Sequence, residues 1–427
     1  MSEPFDLIGI GIGPFNLSLA ALLEKVPNVR ARFFDRKPEF DWHPELMFSD
    51  STMQTTYLKD LVTPVDPTNP FSFLNYLVEN RLFYQFIHTQ RLSISRREFE
   101  QYCQWVSRKL AHKLKFNCEV RGVRFAGDEF IVETADGEHR STNICVATGL
   151  VPRIPDFAKS FLGPDFMHAK SPGLMDLNFE GKSVAIIGGG QTGIEIFRNA
   201  LLGKWGRARE IQIITRRRNL EPLDETAFTN EYFTPNYVNR FWGLKPEKKA
   251  EIVAGQKLAS DGNTPSYLLD LYRDLYRLKY VERDQRNLRI LACRKLVDVA
   301  REGNGYRLKL ENTFRECQEE LKADVVILST GFETAIPKAL EPLLPRIQLD
   351  QEGRFQFEKS YAIKWDGPES NRIYAMNFSR HNHGIIDPQT SLMAWRSAVI
   401  INDLTRSEFY ATNEIYPNFV EYGDCAQ

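Results

Sequence analysis

The sequence predicts an α/β protein with two Rossmann-like dinucleotide-binding domains and a smaller, mainly helical region on the substrate side. A Gly-rich turn between an apolar strand and a helix occurs twice, as GIGIGP at residues 9–14 and as GGGQTG at residues 188–193. Two further apolar strands end in Thr-Gly and are followed by prolines, in the segments 146–152 and 328–337. Repetition of the Gly-rich turn predicts two nucleotide sites in one chain.

The composition is that of a globular protein without a strong charge imbalance. At 427 residues the chain is too long for one ordinary core, so we expect two or three domains. Lys+Arg 55 nearly balances Asp+Glu 56, which argues against a nucleic-acid-binding face. No apolar run approaches the roughly 18 residues of a membrane span, and MSEPFD at the start has no basic signal region. We therefore expect a cytoplasmic protein that binds neither nucleic acid nor membrane.

The cysteine spacing argues against two classes of protein. Disulfide reductases and zinc ribbons need a C-x-x-C pair, and this sequence contains none. Because no other metal-ligand or catalytic-triad pattern is present, no metal site is predicted. The cysteines are interpreted as isolated thiols at Cys103, Cys118, Cys145, Cys293, Cys317 and Cys425.

The first Gly-rich turn is predicted to bind a dinucleotide pyrophosphate. Its glycines, Gly9, Gly11 and Gly13, would let backbone N–H groups and the helix N-terminus approach the phosphates closely. Asp35 ends the next apolar strand, 24 residues after Gly11. An acidic residue there bonds ribose hydroxyls and repels a 2′-phosphate, so this site fits FAD or NAD.

The second Gly-rich turn is predicted to bind NADPH. Its next strand, EIQIIT, runs into an arginine cluster and has no acidic residue at its end. Guanidinium groups at that position suit a 2′-phosphate. A solvated loop is the alternative interpretation of the arginines. The predicted cofactor residues here are Gly188, Gly190, Gln191, Thr192, Gly193, Arg216 and Arg217.

The two Thr-Gly segments are interpreted as the places where the chain crosses between the domains. Glycine at such a crossing lets the backbone pass close to a cofactor, which adds Thr148, Gly149, Thr330 and Gly331 to the predicted cofactor residues. A plain strand-ending glycine is the alternative for either segment alone.

The crossings divide the chain unequally. We assign residues 1–170 with 322–427 to a discontinuous FAD-binding domain and 178–321 to an NADPH-binding domain, in which 222–285 is a largely helical insertion on the substrate side. Ser95 before RRE forms a capping box that starts a helix. ADVVILSTGF contains a buried strand and SLMAWRSAVIINDL a helix.

Over essentially its whole length the chain resembles the N-hydroxylating flavoprotein monooxygenases, the lysine, ornithine and diamine N-hydroxylases of siderophore biosynthesis. The combination of motifs is specific although no single motif is, and the likeness is strongest to the bacterial lysine N6-hydroxylases. In this family the Gly-Pro-x-Asn form of the first turn binds FAD, which explains Pro14 and Asn16. The motifs are GIGPFNLSLAAL, WHPELMF, MQTTYLKDLVTPVDPTNPFSFLNYL, SRREFEQYCQWV, VATG, GGGQTGIE, DETAFTNEYFTP, DVVILSTGF and HGIIDPQTSLMAWRSA.

The resemblance implies roles for further residues. Gln54 would lie near the flavin ring and hold the oxygenated flavin, and Trp42 and His43 would contact the cofactor. Lys59 and Asn230 match positions that hold the substrate carboxylate in ornithine hydroxylases, and a cation and an amide suit a carboxylate on physical grounds as well. The remaining contact to cofactor and substrate is Ser391. A solvated lysine and a helix cap are the structural alternatives for Lys59 and Asn230.

The resemblance also implies the reaction. NADPH would reduce FAD, O₂ would form a C4a-hydroperoxyflavin, and the terminal amine of L-lysine or of its decarboxylated form cadaverine would attack the distal oxygen. Putrescine and L-ornithine remain alternatives, as does an NADPH-dependent flavin reductase or oxidase that hydroxylates nothing. Two intact Gly-rich turns argue against a third class, a non-catalytic NADP(H)-binding regulator. A homo-oligomer, by family analogy a tetramer, is expected.

Two histidines have open roles in the sequence. His168 follows FLGPDFM, close to a fingerprint of related monooxygenases but one residue too far, and is interpreted as structural near the domain crossing. His383 could approach the flavin or be satisfied by packing.

Overall fold

A computed structural model describes residues 3–413 and 419–423, so Cys425 lies outside the described part. Its strands, in chain order, are β1 (Phe5–Ile10), β2 (Ala31–Phe34), β3 (Thr52–Thr56), β4 (Ser93–Ser95), β5 (Leu114–Lys115), β6 (Val120–Ala126), β7 (Glu129–Thr134), β8 (Gly137–Val146), β9 (Val151–Pro152), β10 (Phe166–His168), β11 (Ser183–Ile187), β12 (Glu210–Ile214), β13 (Asn287–Leu291), β14 (Arg294–Glu302), β15 (Gly305–Asn312), β16 (Cys317–Ala323), β17 (Val325–Leu328), β18 (Phe332–Glu333) and β19 (Ile373–Ala375).

The α-helices are α1 (Pro14–Leu22), α2 (Phe73–Glu79), α3 (Phe83–His88), α4 (Arg96–Lys109), α5 (Gln191–Leu201), α6 (Pro235–Trp242), α7 (Pro246–Gly255), α8 (Lys257–Asp261), α9 (Pro265–Tyr276), α10 (Arg380–His383) and α11 (Met393–Thr405). The predicted capping box at the start of α4 is confirmed, because the Ser95 side chain accepts a hydrogen bond from the Glu98 N–H and the Glu98 carboxylate accepts one from the Ser95 N–H. The predicted helix near the C-terminus is confirmed as α11.

The first sheet has the order β5-β2-β1-β8-β7-β6, with β19 alongside the end of β8. Strands β5, β2, β1, β8 and β19 run parallel, whereas β7 and β6 add an antiparallel meander. Helices α1, α4 and α11 bury one face of this sheet, and a 3-10 segment, Lys338–Arg346, packs against the other.

The second sheet is entirely parallel, in the order β10-β17-β11-β12-β13. Its faces are covered by α5 and α9 on one side and by the antiparallel sheet β14-β15-β16 on the other. This sheet contains β10 and β17, which the predicted boundaries at residues 170 and 322 had assigned to the first domain. The ladder gives the reason: β17 hydrogen-bonds along β11, from Val184 opposite Val325 to Ile187 opposite Leu328.

The α/β fold with two parallel-sheet halves is therefore confirmed. The segment 222–285 carries α6 to α9 and lies between the halves. Among the described residues no helix is both long and apolar enough to cross a bilayer.

The two predicted crossings lie side by side. β9 follows the VATG segment and β18 follows the STG segment, and the two pair antiparallel, with Phe332 opposite Pro152 and Glu333 opposite Val151. The chain thus enters and leaves the second half through one two-stranded ribbon.

Candidate active site

The first Gly-rich turn leaves an open cradle at the start of α1. Gly11 has φ +88°, and a Cβ on it would lie 2.7 Å from the Ala147 carbonyl oxygen, so glycine is required there. Gly13 is the N-cap of α1, has no side-chain cap, and has no atom within 4 Å of the place a Cβ would occupy. Free N–H groups facing open space are what a pyrophosphate needs. The turn therefore fits the predicted dinucleotide.

Two side chains form hydrogen bonds with the backbone of this turn. Asn16, which is fully buried, donates a hydrogen bond from Nδ2 to the Gly11 carbonyl oxygen at 2.7 Å. Asp35 lies at the end of β2, where its Oδ2 accepts from the Ile12 N–H at 2.6 Å and its Oδ1 from the Lys37 N–H at 2.9 Å. Asn16 thus shapes the turn, and Asp35 stands at the predicted ribose position, although its contact with ribose stays a prediction.

The second turn repeats this construction at the start of α5. Gly188 has φ +130°, and a Cβ on it would lie 2.1 Å from the Ser329 carbonyl oxygen. A Cβ on Gly193 would lie 1.9 Å from the Gly188 carbonyl oxygen, which explains the close packing of helix on strand. Gly190, the N-cap, again faces open space. A second pyrophosphate fits here.

Replacing either N-cap glycine with alanine should weaken one cofactor and spare the fold. Gly13→Ala is expected to reduce FAD affinity, and Gly190→Ala to reduce NADPH affinity with FAD retained, each by about 10- to 100-fold because the methyl group displaces the phosphate from its N–H donors. Fluorescence titration of each cofactor measures this. Gly255→Ala, at the end of α7 and also facing open space, is the control. Equal affinities for FAD and NADPH in all three variants would contradict the assignment of the two turns as pyrophosphate-binding sites.

The arginine cluster after β12 includes Arg217, whose Nε pairs with Glu221 Oε2 at 3.6 Å. Arg217 donates from Nη2 to the Asp261 carbonyl oxygen at 2.9 Å, while its buried Nη1 has no partner among the described residues. Arg216 is exposed beside it. Lys257, at the start of α8, adds a third cation: burial, then Arg216 and Arg217, lower the pKa of its ammonium. Such a cluster is suited to a 2′-phosphate.

Two histidines, His168 and His43, lie near the two-stranded ribbon of β9 and β18. His168 is buried; its Nε2 donates to the Gly331 carbonyl oxygen at 3.1 Å and its Nδ1 accepts from the Lys170 N–H at 3.1 Å. Burial lowers its pKa to about 4, so the imidazole is neutral at pH 7 and serves a structural role at the crossing, as the sequence suggested. Burial also lowers the pKa of His43 to about 3, and its ring lies 6.2 Å from that of Phe332.

The other predicted crossing residues lie at the same place. Gly149 and Gly331 have φ +77° and +86°, respectively, and the Thr330 hydroxyl donates to the Arg153 carbonyl oxygen. Thr148 is exposed next to the first turn, with its Cα 3.2 Å from where a Cβ on Gly11 would lie. Each crossing therefore touches one Gly-rich turn.

The end of α8 and the loop 262–264 that follows it bring predicted site residues together. Gln54, on β3, donates from Nε2 to the Thr264 hydroxyl at 3.2 Å. The Gln191 side-chain oxygen accepts from the Thr264 N–H at 2.8 Å. The Asn263 amide donates to the Gly189 carbonyl oxygen at 3.0 Å. This loop thus joins strand β3 to the second Gly-rich turn.

The end of α8 reaches the segment before α11. Gln389 donates from Nε2 to the Ser260 carbonyl oxygen at 3.4 Å, and Arg380 donates to the Ser260 hydroxyl at 3.2 Å. Ser391 follows in a 3-10 turn, and its buried hydroxyl has no partner among the residues described. An unpaired buried hydroxyl costs free energy, so a ligand atom would stabilise it.

Lys59 is the unpaired cation of the site. Within the described ranges no carboxylate lies within ion-pair distance of its ammonium, and partial burial lowers its pKa.

Two hydrogen bonds join the segment that carries Lys59 to α1 and α11. The Ser397 hydroxyl donates to the Ser18 hydroxyl at 3.2 Å, and the Ser18 hydroxyl donates to the Leu61 carbonyl oxygen at 2.5 Å.

Two predicted residues, Asn230 and Trp42, make other contacts. The exposed Asn230 donates within its own loop, to the Glu225 and Thr226 carbonyl oxygens, and contacts neither Lys59 nor Ser391. The Trp42 ring packs 5.0 Å from the Phe99 ring. Their ligand contacts stay predictions, as does any role of Thr192.

His383 is explained by packing. It is buried and stacks on Tyr361 with 3.9 Å between ring centroids. Its Nε2 donates a hydrogen bond to the Lys359 carbonyl oxygen at 3.3 Å. Burial holds its pKa well below the usual value. Together with Trp242 and Trp395 it lines a cavity of about 380 Å³ that none of the Gly-rich turn residues line.

Several residues of the site were missed from the sequence. Asn263, Thr264 and Lys257 lie in the helical insertion and reach the turns only through the folded chain. Their spacing carries no periodic or motif signal. Only the position of the insertion, between the arginine cluster and the second crossing, could have directed attention to them.

The acidic residue beside the first Gly-rich turn and the cation cluster beside the second fit a flavoprotein class that uses both FAD and NADPH. Among the described residues no group of three or more His, Cys, Asp or Glu side chains could hold a metal ion.

Residues 3–334 match the family model described as L-lysine 6-monooxygenase/L-ornithine 5-monooxygenase, and the chain belongs to this family. It is 41% identical to the L-lysine N6-monooxygenase of Escherichia coli over 404 residues, 94% of this chain and 95% of that protein. The crystal structure of the cadaverine monooxygenase of Erwinia amylovora bound to FAD covers all of both chains with a TM-score of 0.92 at 26% identity. The ornithine N-hydroxylase of Kutzneria, solved with reduced FAD, NADP⁺ and L-ornithine, gives a TM-score of 0.86 at 27% identity over 95% of this chain and 99% of that one.

Proposed function

We propose that the protein hydroxylates the terminal amine of L-lysine, giving the hydroxylamine for a hydroxamate siderophore. The observation that supports this substrate assignment is the environment of Lys59. Its ammonium is partly buried, burial lowers its pKa, and it has no carboxylate partner in the described part of the chain. A carboxylate on the substrate would pair with it and relieve the cost of its burial. Cadaverine and putrescine have no carboxylate and would leave the cation unpaired.

Sequence similarity favours lysine over a diamine. The lysine enzyme of Escherichia coli shares 41% identity with this chain, whereas the putrescine hydroxylases of Shewanella oneidensis and Acinetobacter baumannii share 32% and 30%. L-ornithine also carries a carboxylate, but its side chain is one methylene shorter. Burial of a methylene is worth about 0.8 kcal/mol. The difference in binding free energy between L-lysine and L-ornithine that comes from chain length is therefore smaller than the difference between an amino acid and a diamine that comes from the carboxylate.

The residues of the chain have separate tasks in the reaction. Bound FAD, with NADPH as the reductant and O₂ as the oxidant, would supply the electrophilic oxygen. The α1 N-terminus with Gly13 would hold the FAD pyrophosphate, and the α5 N-terminus with Gly190 that of NADPH. Gln54 would present its amide on the flavin side, where Thr264 fixes it. Lys59 would hold the substrate carboxylate, with Ser391 as a second contact.

The reacting amine must be neutral when it attacks. A free alkyl amine has a pKa of about 10.4 and is protonated at pH 7. Removing it from water lowers that pKa, and excluding water also protects the activated oxygen from decay to peroxide. We therefore propose that bound cofactors and substrate exclude water from the region between β3 and the segment that carries Ser391.

The test compares three amines that differ at the carboxylate. L-lysine, its carboxamide and cadaverine are offered to the FAD-loaded protein, and hydroxylamine formation is followed at varied concentration. We expect kcat/KM for L-lysine to exceed the other two by about 100-fold, because a charge-assisted pair is worth about 3 kcal/mol. Equal values for the three would show that no carboxylate is recognised.

We also propose a cytoplasmic homo-oligomer, and by family analogy a tetramer. The support from this chain is a row of exposed tyrosines four residues apart, Tyr272, Tyr276 and Tyr280, along α9 and its continuation. Such an apolar row favours a contact between subunits. Sedimentation velocity giving a single species at the 49.3 kDa of one chain would contradict it.

A further inference from the structure

Asp50 connects the flavin side of the molecule to the NADPH side through three hydrogen bonds. Its Oδ2 accepts from the Tyr267 hydroxyl at 2.8 Å and from Arg198 Nη1 at 3.2 Å, and its Oδ1 accepts from Asn199 Nδ2 at 3.1 Å. Arg198 and Asn199 belong to α5, whereas Tyr267 belongs to α9. One carboxylate therefore binds two helices of the other half of the molecule.

The junction is partly shielded from water. The side chain of Asp50 is 26% exposed and that of Arg198 is 16% exposed. Tyr267 is buried, and its ring lies 4.9 Å below the Arg198 guanidinium. Burial and the Asp50 charge hold the pKa of the Tyr267 phenol well above its usual value, so the hydroxyl remains a donor. Charge-assisted hydrogen bonds are strongest in such surroundings.

The segment anchored by Asp50 carries Gln54 four residues later. At that end the Gln54 amide donates to Thr264, so the NADPH side holds residues 50–54 at both ends. On its own side, the segment is held by β4 through the pairs of Thr52 with Ser95 and Thr56 with Ser93, with an irregular register between them. Its position therefore depends on the junction.

We propose that Asp50 is a positioning residue that fixes the Gln54 amide relative to the NADPH-binding helix and so couples NADPH oxidation to hydroxylation. The inference rests on the placement of Gln54 beside the flavin in the proposed function. If residues 50–54 shift, the activated oxygen loses its hydrogen-bond partner and its protection from water. The reaction then ends as NADPH + H⁺ + O₂ → NADP⁺ + H₂O₂, in which O₂ takes both electrons and no amine is oxidised.

Asp50→Ala is a usable variant because the neighbouring charges stay compensated. Arg198 keeps its 2.8 Å bond from Nε to Asp274, and α5 keeps the bidentate pair of Glu195 with Arg96 at 2.9 and 3.0 Å. No buried charge is left alone, so the protein should fold and load FAD. The helix that binds NADPH should also stay in place.

The matched control is Asp270→Ala. Asp270 lies 4.0 Å from the same Arg198 Nη1, but it is on α9, is 47% exposed and makes no connection to the flavin side. An effect that merely follows from removing a charge near Arg198 would be seen in both variants.

The measurement is hydroxylamine formed, NADPH consumed and peroxide released, using whichever of the four candidate amines the wild type hydroxylates. For Asp50→Ala we expect the hydroxylamine yield per NADPH to fall by about tenfold, while KM for NADPH and FAD content stay as in the wild type. The yield of Asp50→Asn, which keeps an acceptor oxygen, should lie between those of the wild type and Asp50→Ala. Asp270→Ala should match the wild type. A wild-type yield in Asp50→Ala, or an equal loss in both alanine variants, would overturn the inference.

Failure of the proposed substrate is a separate outcome. It would show as a wild type that hydroxylates cadaverine, putrescine or L-ornithine and not L-lysine, and the Asp50 comparison would then be made with that amine. A purely structural role for Asp50 would lower the thermal midpoint and FAD content while the yield per NADPH stayed constant, which also overturns the inference.

Discussion

Replacing Lys59 with alanine should lower kcat/KM for L-lysine by about 100-fold, because the substrate carboxylate loses a charged partner worth about 3 kcal/mol in a partly buried place. Turnover of cadaverine should change little, since that amine has no carboxylate and the variant removes an unpaired cation whose burial is costly. Steady-state hydroxylamine formation with both amines measures the two effects together.

The control for Lys59→Ala is Lys248→Ala. Lys248 is on α7 and pairs on the surface with Glu251, so its removal should leave both amines unaffected. If Lys59→Ala impaired L-lysine and cadaverine equally, Lys59 would not be the carboxylate partner. The substrate proposal would then lose its main support.

The double variant Arg216→Ala with Arg217→Ala should discriminate between the two nicotinamide cofactors. We expect KM for NADPH to rise by about 30- to 100-fold, because the 2′-phosphate loses guanidinium partners worth about 2 to 3 kcal/mol. KM for NADH, which lacks that phosphate, should stay within about twofold. Initial rates of flavin reduction under anaerobic conditions with each cofactor give the comparison.

Arg273→Ala is the matched control for this variant, because Arg273 is an exposed arginine of α9 that pairs with Asp270. It should leave both cofactors unchanged. Equal weakening of NADPH and NADH by the double variant would mean that the arginines support the fold of the loop after β12 and do not bind the 2′-phosphate.

The local features of the fold were predictable from the sequence because they depend on neighbouring residues. Gly11 and Gly188 occupy positive φ and press against the backbone of the two crossings, so no other residue serves there. The capping box at Ser95 and the buried run VVIL at 325–328 are equally local. These signals were enough for the two dinucleotide halves.

The domain boundaries were less predictable because strand pairing is a long-range property. β10 and β17 are short, and nothing in their composition shows which sheet they join. Only the ladders of β17 along β11 and of β10 along β17 assign both strands to the second half.

The site itself could be predicted only in part. The turns and the arginine cluster follow from motifs, and Lys59 follows from family resemblance. The junction of Asp50 with Arg198 and Tyr267 connects residues 148 and 217 positions apart and has no sequence pattern. Such contacts form only when the helical insertion folds over the second Gly-rich turn.

The central claim is tested most directly by measuring hydroxylamine formed beside NADPH consumed for L-lysine, L-ornithine, cadaverine and putrescine, each offered separately to the FAD-loaded protein. The structure and the proposed role of Lys59 predict that product matches NADPH for L-lysine and falls far short of it for the two diamines. Product matching NADPH for a diamine would contradict the substrate, and NADPH oxidation that yields only peroxide with all four amines would contradict the hydroxylation itself.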